Sequence, residues 1–194
     1  MWGRAAAVLV LSVVLGGATS FGQTVLPEQL ASFANSASGW TLLTVLLVWW
    51  ARVPWGVAAV LGAFSFVLLT VGYAIVSGFR GYPYDPLFFS AVGVVVGPFV
   101  GMAASVLRDR AVPAALATAL LAGIGVGESI YGLTVVGDTT SPVYWTAIGA
   151  LGILLLVFML VHRLQGTAPR LLASAGAAIV ATAFPAAYML LGSL

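Results

Sequence analysis

Few side chains in this sequence could carry chemistry. Among 194 residues there are five acids, one His and seven basic residues, all of them Arg. Only one acid, Glu128, falls inside an apolar stretch, in the run Gly123-Ile-Gly-Val-Gly-Glu-Ser-Ile-Tyr131. A carboxylate within a membrane segment is costly and usually faces a cavity or a partner. Counting up from Pro113 at ~1.5 Å per residue puts Glu128 in the outer part of the membrane. There it reads equally as a cavity-facing functional group, with Tyr131 a turn further on, or as an interfacial or packing carboxylate.

A second group is Arg80-Gly-Tyr-Pro-Tyr-Asp-Pro86. Arg80, Tyr82 and Asp85 offer a cation, a ring face and a carboxylate, but Pro83 and Pro86 require a turn. The plain expectation is therefore a loop held by an Arg80 to Asp85 pair. A third group lies upstream, where Leu26, Leu30 and Phe33 recur at helical spacing after Pro27 and polar residues include Asn35 and Ser36. It reads as a short amphipathic helix at the outer surface, either a connector or a pocket wall to which Asn35 brings neutral hydrogen bonds. Trp40 follows it directly. Glu128, Asn35 and the Arg80 turn all fall on the outer side of the topology argued below, so they make one candidate binding cluster.

Other chemistries lack their residues. Without cysteine there is no disulfide framework, thiolate or cysteine metal site. A single His and few acids make neither a metal centre nor a Ser-His-Asp arrangement, because His162 and Asp138 belong to opposite sides of the membrane. Zinc-protease, phosphate-loop and Gly-x-Ser-x-Gly motifs are absent. The expectation is no catalytic residue, no metal and no cofactor. The net charge of +2 gives no basic face for nucleic acid.

The elements that must position these residues follow from composition. The chain is 62% hydrophobic and 6% charged, with a mean hydropathy of +1.14, whereas soluble domains are about a quarter charged. Lipid must cover most of such a surface, and the fold class expected is all-α, a polytopic transmembrane helical bundle forming a single domain. Apolar stretches lie near 5–25, 40–51, 55–77, 87–107, 111–131, 143–162 and 169–192. The second is too short to cross ~30 Å of hydrocarbon alone. Seven spans with the amino terminus in the cytoplasm place Arg4, Arg52, Arg108, Arg110, Arg163 and Arg170 inside and only Arg80 outside, as the positive-inside rule requires. The first stretch has an alternative reading as a signal peptide, since Ala18-Thr19-Ser20 resembles a cleavage site.

Small residues at four-residue spacing let membrane helices approach closely. Gly93, Gly97 and Gly101 form such a stripe, as do Gly123 and Gly127, and the longer stripe predicts a central fourth span. Trp49, Trp50 and Trp55 on the inner side, and Trp40, Tyr82, Tyr84, Tyr144 and Trp145 on the outer side, read as interfacial belts.

From Gly17 to Tyr131 the chain also resembles an uncharacterised actinobacterial family of small multi-pass membrane proteins, a domain-of-unknown-function family. The pattern comprises Phe21-Gly22 with Leu26-Pro27, Ala34-Asn35-Ser36 before Trp40, Val71-Gly72-Tyr73, Arg80-Gly81-Tyr82-Pro83, Gly97-Pro98 with Gly101, and Glu128 with Tyr131. It adds Tyr73 to the candidate binding residues. Relatives often carry a second Tyr where this chain has Ala74, which weakens any role for paired rings there. The resemblance implies no activity.

Two functional classes fit these features. One is a small-solute-binding or transport-associated subunit of the bacterial cytoplasmic membrane, working with other membrane subunits or as a homo-oligomer in the lipid bilayer. The other is a structural or assembly protein of the envelope with no small-molecule site. An enzyme is not expected.

Overall fold

The computed structural model describes residues 2–192, and the fold it shows is inside-out relative to a water-soluble protein. Val10, Val14, Phe64, Val94, Val95 and Leu154 are exposed, whereas Ser12, Thr44, Ser65, Thr70 and Thr118 are completely buried. Apolar side chains need no shelter in hydrocarbon, so the interior is left to small and hydroxyl-bearing residues that allow close backbone approach and hydrogen bond across helices.

The elements are all helical among the described residues: α1 (Trp2–Val25), α2 (Glu28–Ala31), a 3-10 turn (Ser32–Asn35), α3 (Ala37–Ala51), α4 (Trp55–Phe79), α5 (Leu87–Val106), α6 (Ala111–Thr134), α7 (Pro142–His162) and α8 (Thr167–Gly192). Six of them are long and apolar enough to cross a membrane, or seven crossings if α3 is counted with the bent segment before it. This is a helical transmembrane bundle. Backbone groups in lipid must pair within their own segment, which leaves helices as the only option for stretches of this kind.

The helices divide into two compact units. One holds the chain up to Pro27 with Phe33–Ser105, the other Glu28–Ser32 with the described residues from Val106 on.

In the first unit α1 and α4 run parallel. Ser12 meets Ser65 at 2.8 Å and Ser20 meets Ser77 at 2.8 Å, and between them Gly16 lies on the Leu69 backbone and Gly72 on that of Val13. Two parallel helices require the intervening chain to return, and α3 makes that return. Its first turn puts Trp40 among Phe66, Leu69 and Tyr73, while its last turn puts Leu47, Val48 and Ala51 among Ala5, Val8, Ala58 and Leu61. At ~1.5 Å per residue α3 is shorter than the ~30 Å of hydrocarbon, and the preceding helical turns supply the remainder. The chain bends sharply before α3, and the Ser36 side chain accepts from Gly39 N at 3.0 Å to cap the new helix. Then α5 packs antiparallel on α4: Gly93 faces Phe66, Gly97 faces Gly62 and Ala63, and Gly101 faces Ala58.

In the second unit α6 is flanked by α7 and α8. Gly125 and Gly132 lie against Ile148 and Trp145 of the antiparallel α7, while Gly123 and Gly127 lie against Ala177 and Ala181 of the parallel α8. The expectation of a central fourth span is corrected here. The apolar window of α6 is 67% buried and that of α5 33%, because small residues line two faces of α6 and only one of α5.

Candidate functional site

At the end of the first unit where α4 finishes, an aromatic cluster is assembled from three helices and a turn. Tyr73 stands at its centre. The Tyr73 ring lies 5.9 Å from Trp40 and 4.9 Å edge-on from Tyr84, and Phe89 closes the group at 6.1 Å from Trp40 and 6.4 Å from Tyr84. Trp40 and Tyr73 are buried. Their polar tips are satisfied within the chain: Trp40 Nε1 donates to the Ala34 carbonyl at 3.4 Å, and Gln23 Nε2 donates to Tyr73 Oη at 2.9 Å.

Tyr84 differs. Its hydroxyl is buried with no hydrogen-bond partner among the described residues, an arrangement native proteins seldom leave unexplained. The surrounding rings exclude water, and burial pushes the phenol up from 10.0 to about 12, with Tyr73 and the Asp85 carboxylate adding to the effect. At neutral pH it is a protonated donor without an acceptor. The cluster therefore holds ring surface and one O–H that the rings cover.

The Arg80 turn is organised differently from the expected ion pair. Arg80 reaches across to α1, where its guanidinium donates to the Ser20 carbonyl, to Ser20 Oγ at 3.0 Å and to Thr24 Oγ1 at 2.9 Å, and lies 4.6 Å over the Phe21 ring. The carbonyls near a helix C-terminus carry partial negative charge and want a cation. Arg80 thus clamps the end of α1 to the end of α4 and leaves Asp85 to cap α5 by accepting from Leu87 N at 2.9 Å. Tyr82 is exposed and 5.7 Å from the same guanidinium. Asn35 is exposed at the end of the 3-10 turn.

Glu128 and Tyr131 belong to the second unit. Glu128 is 2% exposed in α6, on the flank between the face that Gly123 and Gly127 turn to α8 and the face that Gly125 and Gly132 turn to α7. The Tyr131 ring lies 4.9 Å from that of Tyr188, tilted to it, and Tyr188 stacks in turn on Phe184. Of the candidate residues, then, the structure brings Trp40 together with Tyr73, and Arg80 with Tyr82. Asp85 has a partner in its own turn, and Tyr131 has one on α8.

The outer belt is also corrected. Tyr144 and Trp145 are buried like Trp40. Trp145 fills the space left by Gly132 and donates from Nε1 to Thr140 Oγ1 at 2.8 Å. At the opposite end of the first unit, where α3 turns into α4, Trp49, Trp50 and Trp55 are exposed, as interfacial rings are. Sequence reasoning missed Tyr84 and Gln23 as partners of Tyr73. The available signal for Tyr84 was its position between two prolines, which fixes the direction of a ring in a turn.

Among the described residues no group of three or more His, Asp or Glu could hold a metal ion. No curated protein and no solved structure matches this chain. A family model does match, over residues 1–193; it is described as a family of unknown function (DUF6518), and the chain belongs to that family.

Proposed function

We propose that the chain is a small-solute-binding or transport-associated subunit of a bacterial cytoplasmic membrane, with its amino terminus inside. The observation that carries this reading is a repeated plan. In the first unit α1 and α4 pack in parallel with α3 returning between them, and in the second α6 and α8 pack in parallel with α7 returning. Repeats of a helical unit recur in membrane transporters, and each unit here holds a parallel helix pair with a returning helix. The Tyr84 hydroxyl would supply the capture point when the ring cluster that now covers it opens, suited to a small neutral solute with a flat apolar face and one hydrogen-bond acceptor.

The test is thermal stability in detergent across a panel of neutral metabolites, comparing the natural chain with Tyr84→Phe and Glu128→Gln. A compound that stabilises the natural chain and loses its effect in Tyr84→Phe supports the outer capture point. One lost only in Glu128→Gln moves the site to α6.

A second reading, a structural or assembly protein of the envelope, is favoured by one observation: Arg80 and Asp85 are already engaged in clamping α1 and capping α5. It predicts no ligand in the panel.

A further inference from the structure

The second unit has a groove at its inner end that no function above uses. It lies between the last turn of α7 and the first two turns of α8, has a volume of about 570 Å³, and is lined by Leu160, Val161, Thr167, Arg170, Leu171 and Ser174. Its framework is fixed. Leu164 is buried among Ala114, Ala115, Met159 and Ala173, and Gly166 takes a positive φ of 85° to turn the chain into α8.

The lining divides by chemistry. Val161 and Leu171 are each 63% exposed and with Leu160 form an apolar wall. Thr167, Arg170 and Ser174 fall on one stripe of α8 by helical spacing. The Nε of Arg170 donates to the Leu164 carbonyl at 3.0 Å, which orients the guanidinium and leaves its terminal amino groups available. The charge around the groove is one-sided: this unit's inner end carries Arg108, Arg110, Arg163 and Arg170 against Asp109 alone. Arg163 is tied there through Nη2 to the Arg108 carbonyl at 2.6 Å.

We infer that this groove binds an anionic phospholipid of the inner leaflet, its phosphate on Arg170 with the Thr167 and Ser174 hydroxyls and an acyl chain along Leu160, Val161 and Leu171. The charge complementarity selects an anion, and the apolar wall continuous with the phosphate stripe selects a lipid over a soluble phosphate. Basic pockets between membrane helices on the cytoplasmic side take lipid headgroups in this way.

The experiment is native mass spectrometry of the whole purified protein titrated with phosphatidylglycerol, phosphatidylcholine or soluble glycerol phosphate. Phosphatidylglycerol is expected to bind saturably and in preference to phosphatidylcholine, with glycerol phosphate failing to displace it. Arg170→Gln should weaken it about fivefold, the factor equivalent to ~1 kcal/mol per basic group near the surface. Ser174→Val, which leaves the charge and the Leu164 contact in place, should weaken it by a smaller factor, and Arg52→Gln, the same charge removed from the other unit, should not. Equal binding of the two lipids overturns the proposal. So does an equal loss in Arg52→Gln, which would mean general attraction to an anionic surface, and so does displacement by glycerol phosphate, which would mean a phosphate site.

Discussion

Tyr84 keeps a buried hydroxyl that finds no acceptor among the described residues, and the ionisation of that group is measurable. Its folded value is about 12, whereas a phenol in the unfolded chain ionises near ~10. Its contribution to stability is thus fully present below the unfolded value and is lost as pH rises between the two, because the unfolded state releases the proton first. Phenolate absorbance should show Tyr84 titrating near the upper value. Tyr84→Phe should remove that phase, and Asp85→Asn should lower it only slightly, since burial is the larger cause. Arg80 makes a second prediction at this scale. Arg80→Gln removes the charged donor from Ser20 and Thr24 and should cost ~1 kcal/mol, read as a lower melting temperature in detergent. Sequence located these residues but not their partners. Asp85 is five residues from Arg80, and proximity in sequence favoured that pair. Ser20 is far away in the chain, and only the parallel packing of α1 on α4 brings its carbonyl within reach.

That packing rests on glycines whose substitution separates close contact from mere helix propensity. A Cβ at Gly97 would stand 2.7 Å from Ala63 Cα, and one at Gly16 or Gly101 would enter the backbone of Leu69 or Ala58, while Gly56 and Gly78 have nothing nearby. Gly16→Leu and Gly101→Leu should therefore each cost ~1–3 kcal/mol by overpacking, measured by denaturant-induced unfolding in mixed micelles, with Gly78→Leu near neutral. Helix existence and extent were legible because lipid demands long apolar segments and Pro, Gly and charge interrupt them. The stripes of α5 and α6 were legible too, as glycine alone permits such approach. The α1 seam was not. It alternates Ser12, Gly16 and Ser20, and a mixed Ser/Gly run carries the same packing meaning while looking like ordinary polar punctuation. The burial of Trp145 was hidden for a related reason: nothing in a Tyr-Trp pair at a span edge reveals that Gly132 on another helix leaves room for the ring.

At the scale of the whole chain, the direction of each helix decides which ends share a side, and this can be tested cleanly because the sequence contains no cysteine. Parallel packing of α1 with α4 puts Gly3 and Tyr82 at opposite ends of the first unit, and it requires α3 to count as a crossing despite its length. Parallel packing of α6 with α8 and the return through α7 likewise put Asp138 and Gln165 at opposite ends of the second. Arg placement predicts the sides unit by unit: in the first, Arg4 and Arg52 fall at one end and Arg80 at the other, and in the second Arg108, Arg110, Arg163 and Arg170 fall at one end, which the positive-inside rule expects to be cytoplasmic. In intact cells a membrane-impermeant maleimide should label Tyr82→Cys and Asp138→Cys, and should label Gly3→Cys and Gln165→Cys only after permeabilisation. The reverse pattern would invert the topology and place the lipid groove in the outer leaflet, while leaving the packing intact. Labelling of Gly3→Cys and Tyr82→Cys from the same side would contradict the parallel pair itself: α3 would then be re-entrant, and the repeated plan on which the transport reading depends would be lost.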